Sequence, residues 1–158
     1  MLKTPRLYLR NLRQSDALLI HAWRNDPDCA RYQRWEASDA ESVAAYVERF
    51  ARSCFLSTQE EQHYAVCDHK GIVGEVSYFY TEEDRCVTLG ITIAPEHQRK
   101  GYASEAAAAC VQYAFAHNDF PAVYCYMKYT NIPSQKTAMK IGMTFVEEFP
   151  DPDNFHFY

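Results

Sequence analysis

Apolar and polar residues alternate through Arg6–Leu12, RLYLRNL, which predicts a half-buried strand. Helical spacing follows. Ser15 reads as the N-cap of a helix running to about Asn25, where Asp26-Pro27 breaks it. Ser38 and Glu41 form an S-x-x-E capping box ahead of Val43, Tyr46, Val47 and Phe50, which recur at helical spacing. Gln62–Asp68 and Gly71–Tyr80 are strand-like runs joined by a turn at His69-Lys70-Gly71. A polar loop, Thr81–Arg85, leads into a third run, Cys86–Ile93. A long helix is predicted from about Tyr102 to His117, then a short strand over Ala122–Met127. Residues 131–143, NIPSQKTAMKIGM, place Pro133 in a first helical turn and Gly142 at a C-terminal stop. Thr144–Phe149 and Asn154–Tyr158 close the chain as strands.

The order β α α β β β α β α β β has hairpins in the middle and a β–α–β crossover later. It predicts one α/β (or α+β) domain over residues 1–158, with a mixed sheet and helices on both faces.

Composition constrains the chemistry more than the fold. The 158 residues are 47% hydrophobic and 15% aromatic, enough for one core and against wholesale disorder. A net charge of −5 argues against a general nucleic-acid binder and against an anionic membrane surface. No apolar run approaches about 18 residues. The N-terminal MLKTPRLYLRNL has neither an apolar signal segment nor a small-residue cleavage site. Cys29, Cys54, Cys67, Cys86, Cys110 and Cys125 lie in or near apolar runs without a C-x-x-C pair, so free thiols in a reducing cytoplasm are expected. The histidines are equally dispersed, and no metal site is expected.

One stretch stands apart. Ile93–Ala109, IAPEHQRKGYASEAAAA, joins the end of an apolar alternation to a run of helix formers, with Arg99, Lys100 and Gly101 between them. The first amides of a helix have no intrahelical partner and sit at the positive end of its dipole, so they favour an anion. Gly101 can adopt positive φ and lets a ligand approach the backbone. A tight turn with two solvated bases accounts for the same residues. Neither G-x-x-x-x-G-K-[ST] nor G-x-G-x-x-G is present, so any anion is held differently from the phosphates of a P-loop.

Gln98-x-x-Gly101-x-Ala103 resembles the acetyl-coenzyme-A signature of the GNAT N-acetyltransferases. TPRLYLRNLRQSD (residues 4–16), GYASEA (101–106) and NIPSQKTAMKIGM resemble its RimJ/RimL-like branch, the last with Asn131, Ser134, Lys140, Gly142 and Met143 in register. The resemblance implies a GNAT-like domain with a mixed, mainly antiparallel sheet of about seven strands, and acetyl-CoA as cosubstrate without a metal. It implies that the pyrophosphate lies on the turn formed by Gln98, Arg99, Lys100, Gly101, Tyr102, Ala103 and Ser104. The pantetheine arm would pair with the backbone of Ile91 and Ile93 like an added strand. Gly90 would mark a bulge turning an amide toward the thioester carbonyl. Asn131 would bond the pantetheine arm or cap its helix, and Ser134 would bond the coenzyme sulfur.

The implied reaction is direct attack of a primary amine: a protein N-terminus, a polyamine, an amino acid or another small amine. Such an amine, with a pKa of about 10, needs a base. In much of the branch a glutamate stands two residues before the strand glycine; here that position is Thr88, which is no base near neutral pH. Glu75 is the candidate in its place if it faces the interior, and a solvated strand residue if it does not. His63 and His97 are further candidates, as is a water relay through Tyr78 and Tyr126. Asn25–Asp39 would form part of the acceptor wall, with Tyr32 and Trp35 as apolar contacts or core. Glu82, Glu83 and Asp84 would draw a cationic amine or form a solvated loop. A monomer or homodimer is expected. Thr88 also admits an alternative: an acyl-CoA-binding sensor or regulatory module of the same fold with little transferase activity.

Overall fold

The computed structural model describes residues 1–33, 35, 37–52, 56, 60–81, 85–148 and 155–157. Strands β1 (Leu2–Lys3), β2 (Tyr8–Asn11), β3 (Gln62–Asp68), β4 (Gly71–Thr81), β5 (Cys86–Ile93) and β6 (Val123–Tyr124) form one sheet in chain order. Pairing is antiparallel from β1 to β5. The helix α4 (Tyr102–His117) crosses over before β6, which joins β5 in parallel. Strands β7 (Tyr126–Lys128), β8 (Glu147–Glu148) and β9 (Phe155–Phe157) form a second sheet in the order β7-β9-β8.

The single seven-stranded sheet expected from the resemblance is thus six strands plus a separate three. The predicted strand Ala122–Met127 divides at Cys125. Val123 and Tyr124 pair with Val87 and Thr88, whereas Met127 is buried against Ala138 of α5 (Ile132–Lys140), with Cys125 and Met143 packed beside it. Burial under α5 draws β7 away from the first sheet, and among the described residues β5 has no strand on that side beyond Thr88.

Each face of the first sheet carries its own core. Val66, Val73, Val76, Tyr78, Val87 and Leu89 pack with Ala106, Cys110 and Ala114 of α4. Ala65, Cys67 and Ile72 pack with Ile20 and Trp23 of α1 (Ala17–Arg24) and with Val43, Val47 and Phe50 of α3 (Ala40–Ala51). Ile72 thus belongs to one core and both Val73 and Val76 to the other, which strict alternation along β4 forbids. The ladder resolves this with a bulge. Val66 pairs with Gly74 and Cys67 with Ile72, which leaves Val73 as the extra residue.

The bulge expected at Gly90 is absent, because β4 and β5 stay in register from Gly74↔Ile93 to Thr81↔Cys86. Gly90 has another reason: an added Cβ would lie 2.3 Å from Ser77 Oγ. Two helix caps also fall one residue later than predicted. Asp39, not Ser38, caps α3 by accepting from the Ser42 amide at 2.7 Å. Asp16, not Ser15, closes the turn before α1, accepting from the Arg13 amide at 2.8 Å while paired with Arg10 at 2.7 Å. A carboxylate outcompetes a neighbouring hydroxyl as acceptor. Asp26, read as a breaker, caps a short helix of its own, α2 (Pro27–Ala30).

Candidate active site

The turn before α4 carries two residues of positive φ. Gly101 has φ +79°, and Arg99 also adopts a positive φ, +60°. No side chain caps α4, so the amides of its first turn have no partner from the capping residue. Ser104 turns its hydroxyl back to the Gly101 carbonyl at 3.0 Å. Arg99, Lys100, Gly101 and Ser104 border a surface hollow together with Arg6 and Lys140. Arg6 was not legible as a site residue, being 94 positions from Lys100, whose carbonyl its guanidinium binds at 2.9 Å.

A second opening, a cleft, lies where β5 and β7 diverge. It passes the free edge of β5 at Leu89, Gly90 and Ile91, with Ala107 of α4 behind it and Tyr32 and Gln33 at its other end. Asn131, Ser134 and Thr137 of α5 border it opposite, with Tyr126. Asn131 caps α5 through a 3.2 Å bond from the Ser134 amide to its Oδ1, which leaves its NH₂ group free for a second role.

Not every expected residue reaches these openings. Ile91 borders the cleft, but Ile93 is buried and its carbonyl accepts from Gln98 Nε2 at 3.0 Å. Gln98 therefore braces the turn. Tyr102 packs its ring against the α4-side core under Arg6, and its hydroxyl reaches Asp68 at 3.4 Å. Neither Tyr102 nor Ala103 borders the hollow through its side chain, so only their amides are available there. His97 sits in the turn Pro95–His97, away from the cleft lining. Tyr78 is fully buried on the α4 side, its phenol pushed up to about 12 by burial, which removes it as a proton carrier. Glu82, Glu83 and Asp84 lie outside the described residues.

Glu75 faces inward, on the α1–α3 side, at 6% exposure. The Tyr46 hydroxyl donates to its Oε1, His63 Nδ1 lies 2.7 Å from the same oxygen, and Arg24 Nη2 lies 3.7 Å from it. His63 Nε2 contacts Glu61, more exposed, at 2.8 Å. The Arg24 guanidinium lies over the rings of Tyr46, 3.9 Å from its centroid, and Trp35, at 5.0 Å. Burial, then the Glu75 charge, push the Tyr46 phenol far above its ordinary value, so it stays a donor. Tyr46, His63 and Arg24 all meet Oε1, leaving Oε2 without a donor among the described residues. Glu75 and His63, rival candidates in the sequence, are one cluster. On β5 the cross-strand partner of Glu75 is Thr92, whose hydroxyl accepts from Gln33 of the cleft wall at 3.0 Å.

Among known proteins, residues 6–144 match the family model described as an acetyltransferase (GNAT) domain. The chain is 25% identical over 140 residues to an uncharacterized N-acetyltransferase of Bacillus subtilis (strain 168), YnaD, covering 89% of this chain and 80% of that one. A GNAT-family acetyltransferase from Bacillus anthracis superposes with a TM-score of 0.81 at 22% identity, covering 99% and 95% of the two chains. A spermidine N-acetyltransferase from Vibrio cholerae, in complex with CoA and spermine, gives 0.76 at 22%, covering 98% and 93%. RimL, a ribosomal L7/L12 alpha-N-protein acetyltransferase in complex with CoA, gives 0.78 at 15%, covering 98% and 94%. At these identities the solved structures establish the fold, and the family model, spanning most of the chain, establishes kinship: the chain belongs to the GNAT family and is an acetyltransferase.

Proposed function

We propose that the chain moves an acetyl group from acetyl-CoA to a primary amine by direct attack, with Glu75 as general base and Ser134 beside the coenzyme sulfur. The observation that carries this reading is the free edge of β5. It starts beside Gly90, faces Asn131 and Ser134, and lies in the same chain segment as the uncapped turn at Gly101.

The residues present suit the coenzyme. The amides of residues 99–104, with Arg99, Lys100 and Lys140 around them, would hold its phosphates. The backbone at Ile91 and the Asn131 side chain would hold the pantetheine arm. Acetyl-CoA supplies a thioester whose carbonyl accepts the amine and whose sulfur departs. The Ser134 hydroxyl borders the cleft and would donate to that sulfur. Glu75, with Oε1 held by Tyr46 and His63, keeps Oε2 for the acceptor's proton. Both acceptors named in the solved neighbours, a polyamine and a protein N-terminus, are primary amines.

Thermal unfolding with acetyl-CoA tests the cofactor site. A ligand at 100 times its Kd adds about 2.7 kcal/mol, which raises the midpoint by about 5–10 °C in a chain of this size. That rise is expected in wild type and lost in Gly101→Asp. No rise in wild type would remove the reading.

A further inference from the structure

One end of the cleft is bordered by an amide whose two polar atoms are in different situations. Gln33 lines the cleft, and its Nε2 donates at 3.0 Å to the hydroxyl of buried Thr92. Thr92 is the cross-strand partner of Glu75, so their side chains share one face of the sheet. The Gln33 backbone amide donates to the Ala30 carbonyl at 2.9 Å, which ties the residue to the end of α2. Backbone and side chain are both held. The nitrogen of the side-chain amide is committed to Thr92, whereas its oxygen, Oε1, has no donor among the described residues. A half-buried residue on a cleft wall therefore keeps an acceptor to spare.

We infer, on the reading that an amine is acetylated in this cleft, that Gln33 is a specificity-determining residue whose Oε1 accepts a hydrogen bond from the attacking nitrogen. A neutral primary amine has one lone pair and two N–H bonds. With one N–H donated to Oε1, rotation about its C–N bond is fixed and the lone pair turns toward the thioester carbon. A neutral carbonyl suits this place better than a carboxylate. A carboxylate would favour the ammonium form, which has no lone pair to attack with. An N-methylated amine has one N–H fewer. With its methyl group against Oε1 it leaves the carbonyl unpaired, and with its N–H there the methyl lies where the departing proton must go. A site that hydrogen-bonds a substrate N–H rejects the analogue lacking it, because the site's own polar atom is then left without a partner.

The test first follows CoA release from acetyl-CoA with spermidine, a serine-initiated peptide, free amino acids and an aminoglycoside. The fastest amine and its N-methylated counterpart are then compared. Wild type should favour the unmethylated amine by at least about tenfold, the worth of one hydrogen bond. Gln33→Met, which keeps the length and removes both polar ends, should lower kcat/KM for the unmethylated amine by about that factor and erase the preference. Its KM for acetyl-CoA and its thermal shift with acetyl-CoA should match wild type. Thr92→Val releases the amide and should give a smaller loss of the same kind, with no further loss when added to Gln33→Met. Equal losses for the two amines, a loss of acetyl-CoA affinity instead, or no loss would each overturn the assignment. So would additive losses in the double variant, since Thr92 would then act by another route. If no amine accelerates CoA release from wild type, the acetyl-transfer reading itself fails and Gln33 loses its role with it.

Discussion

Arg6 and Glu105, 99 positions apart, are joined through both side chain and backbone. The Arg6 guanidinium Nε donates to Oε2 at 2.6 Å, and the Arg6 amide donates to Oε1 at 2.9 Å. Because the same guanidinium holds the Lys100 carbonyl, the N-terminal segment braces the turn ahead of α4. Arg6→Ala should cost about 1 kcal/mol of stability, a modest value for a half-exposed cation. It should also weaken CoA binding about fivefold. Denaturant unfolding and calorimetric titration measure the two effects separately.

The same pair sets a pH dependence. Burial would raise the Glu105 pKa, but bonds from the Thr4 hydroxyl, the Arg6 amide and the Arg6 guanidinium outweigh it and hold the carboxylate below its usual range. A depressed folded value means stabilisation that is complete above the unfolded pKa, about 4.3, and lost as pH falls through the folded one. Urea unfolding should therefore separate wild type from Glu105→Gln at pH 6, and the gap should narrow as pH falls below about 4.3.

Asn131 can be divided between cap and ligand by two substitutions. Asn131→Ala removes the bond to the Ser134 amide and should cost about 1 kcal/mol. Asn131→Asp keeps an acceptor at the start of α5 but has no NH₂ to donate. It should retain stability and still raise KM for acetyl-CoA, measured by steady-state kinetics beside thermal unfolding.

Gly90→Ala puts a methyl group where Ser77 Oγ now lies. The hydroxyl must rotate away, which costs about 1 kcal/mol of stability. Denaturant unfolding should show a loss of that size, and none for Gly71→Ser, where an added Cβ meets nothing within 4 Å, beyond the strain of its positive φ.

Much of the fold is written locally. α4 begins and ends where glycine, helix formers and His117 predict, because each signal lies within a turn of the boundary it sets. Glu75 was ambiguous for a physical reason. The bulge at Val73 shifts the phase of β4, so Ile72 and Glu75 face one side and Val73 and Val76 the other. No alternation rule applied to the sequence alone recovers that. Gly90 was misread because a glycine makes room for a bulge and for a neighbour's hydroxyl equally well, and only the register separates them. Arg6 carries no local signal of its role, because its partners are distant in sequence.

The parting of β6 from β7 at Cys125 leaves more than a place for a ligand. Among the described residues, the β6 side of β5 beyond Thr88 is a bare strand edge, the kind of surface along which chains pair and aggregate. Its shortness and its place between α4 and α5 limit that hazard, but the best cover for it is the occupant that the cleft fits. A coenzyme bound there would guard solubility as well as supply an acetyl group. Starved of it, the protein should cluster sooner on standing, and free CoA, with no acetyl group to transfer, should protect it as well as acetyl-CoA does.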